Sequence, residues 1–101
     1  MVDTNTAKVV LLVRLRSPLP ADDLKRRYTE RMPEFRDVPG LLQKYYTYNK
    51  STNEWGGLYV WDSEESLQGY LESDLRKTIA SAYEAEGAPR IERLEIVDVL
   101  R

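Results

Sequence analysis

The sequence predicts one α+β domain over residues 1–101, built from four strands and two helices. Four short stretches are rich in apolar, aromatic and β-branched side chains, which suit strands on a half-buried sheet. Two longer stretches carry apolar side chains at spacings of three and four residues, which are typical of amphipathic helices. The stretches follow one another in the order β-α-β-β-α-β, the ferredoxin-like split βαβ pattern. A chain of 101 residues has room for one hydrophobic core.

The first strand is predicted over residues 8–16. One of its faces is strictly apolar and consists of Val9, Leu11, Val13 and Leu15. On the other face Val10 and Leu12 are followed by Arg14 and Arg16. A strand that is apolar on both faces near its start is covered on both sides. Helices can supply one cover, and a second subunit can supply the other.

The first helix is predicted from residue 21 to about residue 31, after prolines that end the first strand. Apolar residues keep helical spacing beyond that point, but Pro33 interrupts the pattern. We expect Pro33 to kink the helix or to start a new short turn. A turn at Val38-Pro39-Gly40 then leads into a tyrosine-rich second strand over residues 41–50.

The third strand is predicted over residues 55–62, after a polar hairpin loop at residues 51–54. Asn53 in this loop tolerates left-handed backbone angles. Gly56 and Gly57 inside the strand indicate a bulge or a close approach of another backbone.

The second helix is predicted from residue 63 to residue 83 or beyond, with a break near Ser73. Asp62 or Ser63 can cap it by accepting an N–H of the first turn, and Glu65 is spaced from Asp62 as a capping box requires. Tyr70 lies on its apolar face and is expected to point back over the sheet. A fourth strand follows over residues 90–100.

The junction between the third strand and the second helix resembles that of a known family. Small YdhR-like monooxygenases are similar in Gly56-Gly57-Leu58-Tyr59-Val60-Trp61, Ser63-Glu64-Glu65-Ser66 and Tyr70-Leu71, and also in Pro39-Gly40, Lys44 and Val97-Asp98-Val99. The wider antibiotic-biosynthesis monooxygenase superfamily, which includes haem-degrading oxygenases, is similar in the same stretch. The resemblance implies that two chains pair sheet to sheet as a dimeric α/β barrel.

The composition excludes several classes of chemistry. The chain has no cysteine and no histidine, so disulfides, thiolate nucleophiles and the commonest zinc and haem ligands are missing. We expect no metal site. A net charge of −2 argues against nucleic-acid and anionic-membrane partners. Residues 1–7 are predicted to be a frayed leader, no apolar run reaches membrane-spanning length, and a cytoplasmic protein is expected.

Aromatic side chains are expected to line a pocket between the helices and the sheet. The chain contains seven tyrosines and two tryptophans but one phenylalanine. Each tyrosine combines a flat apolar ring with a hydroxyl that needs a partner when it is buried. A pocket of this kind suits a planar aromatic or polyketide-like ligand. The predicted substrate-binding residues are Tyr28, Tyr46, Tyr59, Trp61, Tyr83 and Arg14; packing in the core or at an interface is the alternative for the aromatic ones.

The resemblance does not bring haem chemistry to this chain. Ala80 stands where the haem-degrading group has its ligand histidine, and the first strand lacks the asparagine of that group's pocket. The oxygenase expectation therefore requires no cofactor. Such enzymes deprotonate an electron-rich phenol, and the substrate carbanion then reacts with oxygen itself. The protein supplies a dry pocket, a base and positive charge.

Tyr70 is the predicted catalytic residue, because the resemblance places it where the haem-degrading group has a pocket tryptophan; a core tyrosine under the sheet is the alternative. Its hydroxyl can donate to a substrate oxygen or, if its pKa is lowered, help to take a proton. Arg14 or Lys44 would supply the positive charge; a surface or interface ion pair is the alternative for both.

Three other functions stay open at this point. A non-catalytic dimer on the same fold could bind or sense a small molecule, and the missing histidine and cysteine favour it. A stress-related or assembly protein would have no pocket at all. Strand aromatics can also stack RNA bases, although the acidic balance argues against that function.

Overall fold

Four strands form one antiparallel sheet in the computed structural model, which describes residues 6–101 of the chain. The strands are β1 (Val9–Leu15), β2 (Leu41–Asn49), β3 (Glu54–Trp61) and β4 (Arg90–Glu95). Their order across the sheet is β2-β3-β1-β4, so β1 and β3 are central and every neighbouring pair is antiparallel. This order confirms the predicted ferredoxin-like α+β fold.

Four helices follow the chain between these strands, where two were predicted. They are α1 (Ala21–Arg36), α2 (Glu64–Leu71), α3 (Asp74–Lys77) and α4 (Ile79–Ala82). Their apolar residues pack on the face of the sheet that β1 fills with Val9, Leu11, Val13 and Leu15, as the alternation of that strand predicted. The core therefore lies between one face of the sheet and the helices.

The end predicted for the first helix is wrong, and the second helix has one more break than predicted. The first helix does not end near residue 31 but continues through Pro33 to Arg36. Loss of one N–H is tolerated there because Phe35, two residues later, is 4% exposed and anchors the last turn in the core. The break predicted near Ser73 is confirmed, and a second break at Thr78 divides the rest of the second helix into α3 and α4.

Ser63, not Asp62, is the N-cap of α2. The Ser66 backbone N–H donates to Ser63 Oγ at 3.0 Å, so Ser66 occupies the position that a capping box would give to Glu65. The Asp62 N–H instead donates to the Gly40 carbonyl at 3.0 Å, in the turn before β2. The capping box predicted between Asp62 and Glu65 therefore does not form.

The two glycines of β3 allow a close approach and do not form a bulge. A Cβ on Gly56 would overlap the Val13 carbonyl of β1, and one on Gly57 would lie 2.8 Å from the Tyr59 ring. The irregularity in the sheet lies in β2, where the pairing with β3 shifts between Leu41 and Gln43. This shift turns Lys44 toward Tyr59 on the helix-covered face.

The chain termini differ from the predictions in two respects. Ala7 is buried, which does not fit a frayed segment, while residues 1–5 of the predicted leader lie outside the described residues. Strand β4 ends at Glu95 and not at residue 100. Within residues 6–101, no helix is both long and apolar enough to cross a membrane.

Candidate functional site

A small apolar cavity lies between the sheet and the helices and is the candidate functional site. Its volume is about 40 Å³, which is room for water molecules rather than for an aromatic ring. Four of the residues predicted to bind substrate line it, namely Tyr28, Tyr46, Tyr59 and Tyr83. Lys44 also lines it.

A larger groove opens beside this cavity, between the C-terminal half of α1 and strand β2. Its volume is about 420 Å³, and it is lined by residues that include Met32, Arg36 and Leu42. Lys44 and Tyr46 line both spaces. These two side chains therefore stand between the inner cavity and the groove.

The amine of Lys44 is surrounded by aromatic rings. Its Nζ lies 3.3 Å from the ring centroid of Phe35, 4.3 Å from that of Tyr46 and 4.5 Å from that of Tyr59. Although part of the Lys44 residue is exposed, its amine has lost much of its contact with water. This burial, with a smaller contribution from the positive charge of Arg31, lowers the pKa of Lys44 to about 7.

Arg31 on α1 holds a fixed positive charge behind the cavity, and the sequence analysis did not single it out. Its Nη2 donates to the Leu75 carbonyl at 2.9 Å and to Thr78 Oγ1 at 3.3 Å. Its guanidinium carbon also lies 5.7 Å from the ring centroid of Tyr83. The sequence pattern does not distinguish an arginine that packs beside a cavity from a solvent-exposed arginine on the same helix. The position of Arg31 therefore could not be predicted.

Tyr28 and Tyr46 form a stacked pair at the wall of the cavity. Their ring centroids are 4.5 Å apart and the rings are nearly parallel, at 15°. Both residues keep part of their surface exposed. Because one ring belongs to α1 and the other to β2, this pair joins the helix to the sheet at the cavity wall.

Tyr70 lies behind the cavity wall, in a cluster with Tyr59 and Trp61. Its ring centroid is 5.4 Å from that of Tyr59 and 5.3 Å from that of Trp61, so it points back over the sheet as predicted. Its hydroxyl donates to the Tyr59 hydroxyl at 3.3 Å. Tyr70 is 2% exposed and does not itself line the cavity.

The pKa values of the buried tyrosines do not suit a base. Burial raises the pKa of Tyr46 and of Tyr70 to about 12, and it raises the pKa of Tyr59 and of Tyr83 as well. Each of these hydroxyls is therefore neutral near pH 7 and can donate or accept a hydrogen bond. The lowered pKa that Tyr70 would need in order to take a proton is not found.

Two predicted site residues lie away from the cavity. Trp61 is fully buried in the core, and its indole nitrogen has no hydrogen-bond partner among the described residues. Arg14 lies opposite Gly56 in the sheet register, on the face that no helix covers. Its charge is therefore on the wrong side of the sheet for a ligand in the cavity.

The described residues contain no group of three or more acidic, histidine or cysteine side chains that could hold a metal ion. What the site contains instead is a set of aromatic rings, one amine whose pKa lies near neutrality and one nearby guanidinium. Such a set can bind a planar ligand, stabilise an anion and exchange a proton.

Comparison with known proteins extends these observations. A family model described as "Putative mono-oxygenase ydhR" matches residues 10–92 of the chain. No curated protein sequence matches significantly.

Solved structures share the fold at low sequence identity. NE2512 of Nitrosomonas europaea, a protein of unknown function, is 20% identical and superposes with a TM-score of 0.75 over 93% of each chain. A structure named as a putative antibiotic biosynthesis monooxygenase of Caulobacter crescentus is 22% identical, with a TM-score of 0.73 over 91% of this chain and 92% of that one. SnoaB of Streptomyces nogalater, named as a cofactor-independent oxygenase, is 12% identical, with a TM-score of 0.73 over 93% of this chain and 97% of that one.

Proposed function

Because the chain belongs to the ydhR mono-oxygenase family, whose model matches residues 10–92, we propose that it is a cofactor-independent monooxygenase acting on a small aromatic or polyketide-like substrate. Family membership supports a general monooxygenase-like function. The likeness to solved structures supports the fold alone, and the substrate class is inferred from the site of this chain.

The arrangement of Lys44 among aromatic rings is the observation that carries this proposal. Phe35, Tyr46 and Tyr59 present their ring faces to the amine, and the same rings can stack on or pack around a planar ligand. Lys44 and Arg31 supply positive charge on the same side of the sheet. An aromatic substrate that becomes an anion during the reaction would be stabilised here.

The proposed reaction uses only the substrate and dioxygen. A phenol or enol loses its proton, and the resulting anion carries electron density on a ring carbon. That carbon forms a bond to dioxygen, and the peroxide takes up a proton. Loss of water then leaves one oxygen atom in the product as a carbonyl. The role of the protein is to exclude solvent, to hold the anion and to move protons.

A ligand can reach the Lys44 amine either from the groove or after the cavity opens. The groove of about 420 Å³ can hold a ligand of one or two rings beside Lys44. The inner cavity of about 40 Å³ admits an aromatic ring after Tyr28 and Tyr46 separate. Binding in the groove, with one ring edge entering the cavity, places a phenol beside the amine.

A homodimer completes the proposal. The face of the sheet that no helix covers carries Val10, Leu12, Leu58 and Leu94, since these residues alternate with the buried ones in the register. Leu94 is 47% exposed. A second copy of the chain that packs on this face would remove its apolar surface from water.

A thermal-shift screen followed by oxygen measurements tests the proposed function. The purified protein is mixed with planar phenols, anthrones and quinones, and a ligand at a hundredfold excess over its Kd should stabilise it by about 2.7 kcal/mol. Each ligand that stabilises is then followed with an oxygen electrode. Oxygen uptake supports the monooxygenase, binding without uptake supports the small-molecule sensor, and no shift with any ligand contradicts both.

A further inference from the structure

We propose that Lys44 is the proton acceptor of this site, and that the site selects planar phenols or enols which it binds as anions against the resulting ammonium group. This inference rests on the proposed monooxygenase function, which needs a deprotonated substrate. It replaces Tyr70 with Lys44 as the group that takes the proton.

The position of the amine is the first argument. Lys44 lines both the inner cavity and the groove, so a ligand in the groove lies against this residue. Tyr70 lines neither of these two spaces, and its hydroxyl donates to that of Tyr59. Reach is the first requirement for a general base, since the proton must pass over one hydrogen bond.

The absence of a counter-ion is the second argument. Among residues 6–101, no carboxylate lies within ion-pair distance of the Lys44 amine, and none lines the cavity or the groove. The titratable and charged groups that face Lys44 are Arg31, Arg36 and Tyr28 of α1, Tyr46 of β2, Tyr59 of β3, and Tyr83 after α4. When Lys44 becomes an ammonium group, the bound ligand anion is therefore its counter-ion.

Two arginines and three of the tyrosines that face Lys44 do not serve as the base. Arginine stays protonated in proteins, so Arg31 and Arg36 can only contribute charge. The pKa values of Tyr46, Tyr59 and Tyr83 are all raised by burial, so these hydroxyls keep their protons near pH 7. Lys44, whose pKa is lowered to about 7, is present in its neutral form as well as its charged form at that pH.

The proton transfer has a simple balance. The O–H bond of the ligand breaks and an N–H bond forms on Lys44 Nζ, so a neutral amine and a neutral phenol become an ammonium ion and a phenolate. The ring faces of Phe35, Tyr46 and Tyr59 stabilise the ammonium ion. The pair remains neutral overall, which suits a site of low polarity.

An anaerobic titration with 4-nitrophenol tests the proton acceptor without requiring any reaction with oxygen. The absorbance of this phenol reports its ionisation. Bound to the unmodified protein under nitrogen, it should show an apparent pKa at least one unit below that in buffer, which is a tenfold change in the ratio of phenolate to phenol. Lys44→Met should abolish the shift, and Lys25→Met, an exposed lysine of α1, should leave it unchanged.

A second measurement avoids any variant. Nuclear magnetic resonance of the Lys44 side chain should show its pKa rise by at least one unit when 4-nitrophenol binds, since the phenolate favours the ammonium form. The same pKa with and without ligand, failure of 4-nitrophenol to bind, or a phenolate shift that persists in Lys44→Met would each overturn the proposal.

Aerobic turnover of dithranol, a planar hydroxyanthrone, separates this inference from the proposed function. Lys44→Arg keeps a positive charge but cannot accept a proton, so it should still bind the 4-nitrophenolate anion while oxygen uptake with dithranol falls at least a hundredfold. Ionised ligand without oxygen uptake in the unmodified protein would refute the monooxygenase and leave the proton acceptor standing. Full oxygen uptake in both Lys44 variants would refute the proton acceptor and leave the monooxygenase standing.

Discussion

Lys44 and the tyrosines around it have pKa values displaced in opposite directions, and burial is the main cause of both displacements. Removing water disfavours whichever form is charged, so the pKa of the amine falls and the pKa values of the phenols rise. The neutral forms of both side-chain types therefore coexist over a wide range of pH. Above pH 7 the positive charge near the cavity is therefore mainly that of Arg31.

The lowered pKa of Lys44 predicts how stability changes with pH. Between pH 7 and pH 9 the unfolded chain binds more protons at this lysine than the folded chain does, so the free energy of unfolding should rise with pH. Above about pH 10 the unfolded tyrosines ionise before the folded ones, and stability should fall again. Urea titrations of the unmodified protein and of Lys44→Met at several pH values measure both changes.

Lys44→Met should lose the rise in stability between pH 7 and pH 9 and keep the fall above pH 10, because the tyrosines are still present. Lys25→Met serves as the control, since that lysine is exposed on α1. An identical slope for the unmodified protein and Lys44→Met between pH 7 and pH 9 would mean that the amine is as well solvated when folded as when unfolded.

The hydroxyl pair of Tyr59 and Tyr70 predicts a small coupling energy. Their distance of 3.3 Å is long for a hydrogen bond between hydroxyls, so the bond is weak. In a double-mutant cycle, Tyr59→Phe and Tyr70→Phe should show a coupling of about 0.5–1 kcal/mol in the free energy of unfolding. Urea denaturation measures it. A coupling near zero, together with lost turnover in Tyr70→Phe, would mean that the Tyr70 hydroxyl acts on the substrate.

At the scale of elements, one irregularity in β2 decides which side chains reach the site. The shift in pairing between Leu41 and Gln43 puts Leu41 opposite Trp61 and Lys44 opposite Tyr59, both on the helix-covered face. Without the extra residue, alternation from Leu41 would send Lys44 and Tyr46 to the other face. The candidate site therefore depends on this bulge.

The fold could be predicted from the sequence because each strand or helix shows its periodicity over several residues. The alternation of apolar side chains predicts β1, and their spacing of three and four residues predicts α1 and α2. Gly56 and Gly57 predict a bulge or a close approach, and the close approach is confirmed, whereas the bulge lies in β2, where no glycine marks it. A strand reading Gln-Lys-Tyr-Tyr has no apolar face to indicate its register, so the inward direction of Lys44 was not available from the pattern.

Alanine substitutions at two glycines should change the free energy of unfolding in opposite directions, because only one of the glycines lies where β3 closely approaches β1. Gly56→Ala places a Cβ against the Val13 carbonyl and should destabilise the protein by about 1–3 kcal/mol. Gly69→Ala, on α2 with no heavy atom within 4 Å of the added Cβ, should stabilise it by about 0.5–1 kcal/mol. Thermal and urea unfolding of both variants give the comparison. Equal effects would show that β1 and β3 can separate at little cost.

At the scale of the whole molecule, the helices cover one face of the sheet and leave the other without cover. Tyr45 and Leu94 on that face are 55% and 47% exposed. Strand β4 contributes no buried residue at all. The surface therefore resembles one half of an interface rather than the outside of a monomer.

A charge on this open face should break the dimer. Leu12 lies on it at the centre of the sheet, opposite Leu58 of β3. The unmodified protein should have twice the monomer mass in sedimentation and light-scattering experiments, and Leu12→Asp should shift it to the monomer. Thr29→Asp adds the same charge on the exposed side of α1 and should stay dimeric. A monomeric unmodified protein at micromolar concentration would refute the homodimer.

Incorporation of labelled oxygen tests the proposed reaction most directly. The unmodified protein, prepared with a chelator, is incubated with dithranol under ¹⁸O₂. The mass of the product is then measured by mass spectrometry. The proposed reaction predicts one ¹⁸O atom in each product molecule, formed faster than in buffer and much more slowly with Lys44→Met. Product formation at the rate in buffer would contradict the monooxygenase, and product without ¹⁸O would contradict the transfer of an oxygen atom from dioxygen.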